Sequence, residues 1–249
     1  MTRTLALIAI TAIVSMTVTA ADHSNLEEGL PTELTDAYPI GFMGREIQAI
    51  FRYERGEDGV DSFEVQPRLE FGWVRNMQFS VHAPILMGEI EPDGFGDTTV
   101  EAFWNLNQET LHTPALALAG AVDLPTGPDD HGLDPTVKVI LSKLIGRTWQ
   151  YHAVHLNLIY QFNDNRQSDE RAGRYKAVVG YSGRVNNETI FVADVVREQE
   201  MEDDEEINLI ELGLRIQATP RTVVSLGAGF GISDESPDVR GVLGIQIAF

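Results

Sequence analysis

About twelve stretches of this 249-residue chain alternate apolar and polar side chains with a period of two. They run over roughly 45–55, 61–74, 77–86, 98–107, 114–124, 136–144, 149–162, 174–185, 188–198, 207–217, 221–231 and 239–249. Most match the ~9–11 residues that a tilted transmembrane strand needs, with a little overhang. In the last stretch Val239, Gly241, Leu243, Ile245, Ile247 and Phe249 share one face, and Arg240, Val242, Gly244, Gln246 and Ala248 share the other. Lipid offers no hydrogen bond to a bare strand edge, so strands cross a membrane only when they close into a barrel. The expected fold is all-β: an up-and-down antiparallel transmembrane barrel of about twelve strands.

The connections alternate in kind. Those at 75–76, 145–148, 186–187 and 218–220 are tight, and that at 108–113 is somewhat longer. Those at 56–60, 87–97, 125–135, 163–173, 199–206 and 232–238 are mostly longer and acidic. Short turns on one rim and long loops on the other are the asymmetry of an outer-membrane barrel, and an even strand count puts both termini on the short-turn side. Alternation alone does not say which face points inward. On 61–74, Phe63, Val65, Pro67, Leu69, Phe71 and Trp73 oppose Ser62, Glu64, Gln66, Arg68 and Glu70. The loop asymmetry and the aromatics favour the apolar face outward. Tyr53, Phe63, Tyr160, Phe162, Tyr175 and Phe230 fall near the long-loop ends, and Trp73, Trp104, Tyr181 and Phe249 toward the short-turn ends. Two aromatic belts are expected at the two membrane interfaces.

The N-terminus agrees with this destination. A short positive start, Met1-Thr2-Arg3, precedes an apolar run that falls short of the ~18 residues of a membrane helix. Small residues around Ala20 and Ala21 suit signal-peptide cleavage. Residues 1–21 are expected to be a removed signal peptide, 22–43 an irregular periplasmic segment, and 44–249 the barrel. The segment 22–43 fits either a tail or a piece tucked into the barrel mouth. Cysteine is absent, so neither disulfides nor thiolate chemistry is available. A net charge of -20 argues against nucleic acid as a partner. The expected location is the outer membrane of a Gram-negative cell. The partners expected there are outer-membrane lipid and lipopolysaccharide, and a small-molecule solute.

On the polar face the candidate lumen-lining residues are Arg52, Glu64, Arg68, Glu70, His82, Glu101, Asp123, His155, Asn157, Lys176, Asp194, Glu211, Arg215 and Arg240. Lys138, Glu46 and Glu54 share that face. Such charges either line a wet path or pair across a filled interior. No cofactor and no catalytic or metal-binding residue is expected. The acidic loops, with Glu89, Glu91, Asp93 and Asp97, with Asp129, Asp130 and Asp134, and with the run from Glu198 to Glu206, lack EF-hand spacing and read first as solvated charge, the alternatives being ligands for hard divalent cations or contacts to lipopolysaccharide phosphates through bridging Ca²⁺ or Mg²⁺. His152 and His155 point to opposite faces of a strand and cannot share a metal. The glycine run 227–231 has neither the helix nor the lysine of a nucleotide loop.

Two resemblances follow. An alternating strand closing on Phe249 resembles the C-terminal signal of bacterial outer-membrane proteins, which implies the barrel-assembly machinery as a partner. Gly94-Phe95-Gly96-Asp97-Thr98-Thr99-Val100, then Ala121-Val122-Asp123-Leu124-Pro125-Thr126-Gly127 and Leu156-Asn157-Leu158-Ile159-Tyr160, are similar to the "putative MetA-pathway of phenol degradation" family. That resemblance implies an outer-membrane barrel linked to transport of small, often aromatic or hydrophobic compounds. It carries no substrate residues with it, and Phe103-Trp104 stands where such families have Lys-Tyr. The expected function is a channel for small solutes. The alternatives are a lipid-acting outer-membrane enzyme and a structural or adhesive barrel.

Overall fold

The computed structural model describes residues 20–56, 59–88, 94–127, 132–145, 151–164, 170–200, 202 and 205–249. The expected signal peptide up to residue 19 lies outside them, as do Glu89, Glu91, Asp93, Asp129, Asp130, Asp203 and Asp204. Fourteen strands follow one another: β1 (Arg45–Arg55), β2 (Asp61–Phe71), β3 (Met77–His82), β4 (Ile85–Gly88), β5 (Gly94–Phe95), β6 (Thr98–Asn107) and β7 (Ala115–Leu124). Then come β8 (Asp134–Leu144), β9 (His152–Phe162), β10 (Gly173–Asn186), β11 (Thr189–Gln199), β12 (Glu206–Thr219), β13 (Thr222–Gly231) and β14 (Val239–Ala248).

Both β3 and β4 pair with β2, so they form one stave broken at Ala83-Pro84. In the same way β5 and β6 make one stave with an irregularity at Gly96-Asp97, where the Gly96 amide donates to the Pro84 carbonyl at 2.9 Å. The wall therefore has twelve antiparallel staves. A proline supplies no amide to the ladder, which is why the break in the third stave falls at Pro84. The wall closes where β1 pairs with β14, from Glu46 opposite Ala248 to Arg55 opposite Val239. The Phe249 amide adds one more bond, to the Arg45 carbonyl at 3.0 Å.

The exterior is apolar. Val179, Val195, Leu212, Leu243 and Leu158 are exposed along the middle of the staves. Trp73, Trp104 and Phe249 stand outward near the short-turn rim, and Phe63, Tyr160, Phe162 and Phe230 near the long-loop rim. A water-facing surface of this kind would be a large adhesive patch, whereas a bilayer solvates it.

Residues from Ala21 to Ile40 run inside the barrel. Leu26, Leu30, Leu34, Ala37 and Ile40 are buried, as are Glu27, Thr32, Glu33 and Asp36. The segment has almost no regular structure, so its backbone groups need partners from elsewhere. The wall supplies them. Side chains of Glu211, Asn157, Ser142 and Gln78 accept from the amides of Glu33 (2.9 Å), Thr35 (2.8 Å), Ala37 (2.9 Å) and Ile40 (2.8 Å). Arg215, Asn157, Asn105 and Arg68 donate to the carbonyls of Leu30 (2.9 Å), Thr35 (2.8 Å), Ala37 (2.7 Å) and Glu28 (3.1 Å).

Candidate functional site

The inward face of the staves holds the polar residues, because every second side chain of a strand points the same way. On that face the wall cations meet the carboxylates of the internal segment. Lys138 on β8 donates to Glu28 at 2.7 Å and lies 2.6 Å from Glu101 on β6. Lys176 on β10 donates to Glu28 at 3.0 Å and also to Glu33. Arg52 on β1 bridges Glu33 at 2.7 Å and Glu64 on β2 at 2.9 Å. Arg240 on β14 reaches Glu54 at 2.6 Å, Glu211 at 3.2 Å and Glu33 at 3.5 Å. Glu33 is thus the hub of the network. Burial pushes its carboxyl up, but the attraction of Lys176, Arg52 and Arg240 outweighs burial and holds its pKa down at about 2. Glu28 is also held well below the usual carboxylate range: burial opposes ionisation, and Lys138 and Lys176 overcome it.

Between this network and the wall lies a cavity of about 260 Å³. Its walls differ in character. Arg52, Arg68, Lys138, Lys176, Glu28 and Glu33 make one part polar, and Tyr38, Phe103, Ile140 and Ile159 make another apolar and aromatic. A second cavity of about 290 Å³ lies toward the long-loop rim, bordered by Glu54, Glu64, Met87, Glu200 and Arg240. A third of about 320 Å³ lies toward the short-turn rim, bordered by Asp22, Asp36, Glu109 and Tyr151.

Of the residues singled out from the sequence, Arg52, Arg68, Glu70, His82, Glu101, Asp123 and Lys176 border the central cavity. Asp123 accepts from Thr99 at 2.5 Å and from Gln161 at 2.7 Å. Glu64 and Arg240 border the upper cavity. The others hold the internal segment or each other. Asn157 and Glu211 bind segment amides, and Arg215 donates to the carbonyls of His23 (3.1 Å) and Leu30 (2.9 Å) and to Gln246 (2.6 Å). Asp194 is buried opposite Glu211 in the β11–β12 register.

His155 sits between two hydroxyls, with Nδ1 2.8 Å from Ser142 and Nε2 2.8 Å from Ser182. Both ring nitrogens are engaged by serines, and no carboxylate orients the ring as a nucleophile–base pair requires. The arrangement links β8, β9 and β10 and, through Ser142, the Ala37 amide.

Period-two reading missed Glu27, Glu28, Glu33, Asp36 and Tyr38, because an irregular segment has no periodicity to read. A signal was nevertheless present on the wall. The inward positions of β7 are Ala115, Ala117, Ala119 and Ala121, and across the barrel β10, β12, β13 and β14 carry inward Gly180, Gly213, Gly227 and Gly244. Small residues on the inner face mark where something packs. A Cβ at Gly213 would lie 2.3 Å from Pro31 Cγ, and one at Gly227 2.1 Å from the Pro31 carbonyl oxygen. The glycine run therefore receives the segment, in keeping with a role in relieving crowding.

The motif residues meet at the long-loop rim. Asp97 Oδ1 accepts from the amides of Thr126 (3.0 Å) and Gly127 (2.8 Å), and Thr126 Oγ1 accepts from the Thr98 amide at 2.8 Å. Side chains thus continue the β6–β7 seam past its last backbone pair, Thr98 with Leu124.

The fold is similar to that of an outer membrane channel from Pseudomonas putida F1, with TM-score 0.66 and 14% identity over 86% of this chain and 98% of that one. It is also similar to the NanC porin (TM-score 0.59, 12% identity, 82% of this chain and 98% of that one). The KdgM porin gives TM-score 0.58 and 7% identity over 82% of this chain and 99% of that one. No curated protein matches the sequence. The family model described as "Putative MetA-pathway of phenol degradation" matches residues 50–249, which takes in the barrel wall except the start of its first strand but not the internal segment, and the chain belongs to that family.

Proposed function

We propose that this protein is an outer-membrane channel for small solutes, with the N-terminal segment as its constriction. The observation that carries this reading is the central cavity, which combines a charged wall with an apolar, aromatic one. A hydrophilic sugar has no use for Phe103, Ile140 and Ile159, and a pure hydrocarbon would strand Arg52 and Lys176 without water. The solute that matches both is a small amphiphile, an aromatic ring bearing a hydroxyl or carboxyl group. The family description and the channels of similar fold support the same class of function. The His155 hydroxyl relay and the ion-pair network support a structural role for the remaining polar groups, not an enzymatic one. The outward apolar face supports an outer-membrane location reached by export.

Flux into proteoliposomes tests the proposal. Hydroxylated and carboxylated benzenes are expected to enter faster than sugars of equal size. Equal rates for both classes would refute the selectivity, and no flux of either would refute transport itself.

A further inference from the structure

We propose that Glu27, Glu46 and Glu70, with the amide oxygen of Gln48, form a binding site for a hard divalent cation, Ca²⁺ foremost, that staples the N-terminal segment to the barrel wall. Glu46 on β1 and Glu70 on β2 are direct register partners, and Glu27 enters from the internal segment. One carboxylate oxygen from each lies within 4.8 Å of the other two. All three residues are buried, Glu27 being 5%, Glu46 4% and Glu70 1% exposed. Like charges directly opposite on neighbouring strands repel, and buried charges require compensation.

The protein supplies little of it. Gln48 Nε2 donates to Glu27, and Gln246 Nε2 donates to Glu46 and, at 3.4 Å, to Glu27. Both donors are neutral. Arg215 attracts Glu27 and Glu46 through space but directs its hydrogen bonds to two carbonyls and to Gln246, and Arg68 forms a long ion pair with Glu70 at 3.9 Å, so two cations face three carboxylates.

A second observation points to a missing ligand. Glu70 Oε2 and Gln48 Oε1 are fully buried and have no hydrogen-bond partner among the described residues. Glu70 faces the other two carboxylates, and Gln48, 1% exposed, already touches Glu27 with its other amide atom. Left-over acceptors beside three carboxylates call for a cation.

The donor set is all oxygen, which selects hard ions over zinc or copper. Two oxygens on opposite sides of Ca²⁺, at ~2.3–2.6 Å each, stand about 5 Å apart, so carboxylate oxygens that all lie within 4.8 Å of one another can reach a common ion. Mg²⁺ needs a tighter, more regular octahedron of ~2.0–2.1 Å and gives up its waters reluctantly, so a site built from several protein oxygens favours Ca²⁺. With one Ca²⁺, three ligands from the wall (Glu46, Gln48 and Glu70) and Glu27 from the segment share one ion, so the ion locks the two together.

Calcium titration of the full chain, folded in detergent and stripped with EDTA, tests this. One tight site per barrel is expected, and Ca²⁺ should also slow proteolysis of residues 22–43. Glu70→Gln should weaken that site by at least roughly tenfold, since affinity follows ligand charge. The loop variant Glu202→Gln with Glu205→Gln should leave it unchanged. If Glu70→Gln does not give a heat-modifiable barrel, Glu27→Gln removes a ligand without touching the wall and should lose the site equally. The proposal is overturned if wild type shows only weak sites. It is overturned equally if the tight site survives both cluster substitutions, or if only the loop variant abolishes it. Shared protons would then hold the carboxylates together.

Discussion

At the scale of single residues, alternation made the direction of a side chain legible but not its partner. That Arg52, Lys176 and Arg240 face inward follows from their places on alternating strands; that all three converge on Glu33 does not, since Glu33 lies where no period exists. Two substitutions test the two faces. Leu212 stands outward at the middle of β12. Leu212→Arg places a cation against hydrocarbon and should destabilise the barrel by ~2–4 kcal/mol, the cost of Arg or Lys at the midplane. Reversible unfolding in phospholipid vesicles measures it, and a change close to zero would mean that this face does not meet lipid. On the inner face, Gly227→Val drives carbon into the Pro31 carbonyl. Overpacking of this kind typically costs ~1–3 kcal/mol. Because the obstacle is the internal segment and not a stave, the barrel should still form while residues 22–43 become accessible to protease. Intact protection of the segment would show that it docks elsewhere.

Among elements, the staves and their order were readable because each strand carries its own period. Boundaries shifted where local chemistry intervened. The stretch read as 77–86 is two strands, broken where Pro84 removes an amide, and β2 stops at Phe71, short of the Gly72-Trp73-Val74 turn. The internal segment is the element that the sequence left open, because its place depends on partners far along the chain. Its docking has a pH dependence that follows from Glu33. The folded carboxyl titrates at about 2, below the ordinary carboxylate range. The ionised form is thus favoured by docking, and the stabilisation is fully present above the ordinary value of ~4.3. It fades as pH falls toward 2. Burial pushes the Asp36 carboxyl of the same segment up to about 7, which favours docking as pH falls from 7, so protease protection of residues 22–43 in detergent should not weaken until about pH 4.5, and should then decline toward pH 2 as Glu33 is protonated. Glu33→Gln should flatten that profile and lower protection at neutral pH, because Lys176, Arg52 and Arg240 then lose a shared anion. A profile unchanged by the substitution would assign the pH dependence to other groups.

On the scale of the whole molecule, the wall and its contents are held by different forces. The wall is a closed ladder of backbone hydrogen bonds, joined from β1 to β14. The contents are held by side chains and ion pairs, and each of those groups has water as an alternative once the lumen is wet. Removing residues 22–43 while keeping residues 1–21 should therefore leave a folded barrel. Lys138, Lys176, Arg52 and Arg240 would lose Glu28 and Glu33, but they would face an open aqueous lumen instead of a buried void, so their desolvation penalty would be relieved along with the lost attraction. Single-channel conductance in planar bilayers should rise several-fold over wild type. Selectivity should move toward anions, since the segment takes away Glu27, Glu28, Glu33 and Asp36 while the four wall cations stay. A conductance equal to that of the intact chain would place the constriction in the wall or in the long loops. A failure to form a heat-modifiable barrel would mean that the wall does depend on its contents, contrary to what its closed ladder implies.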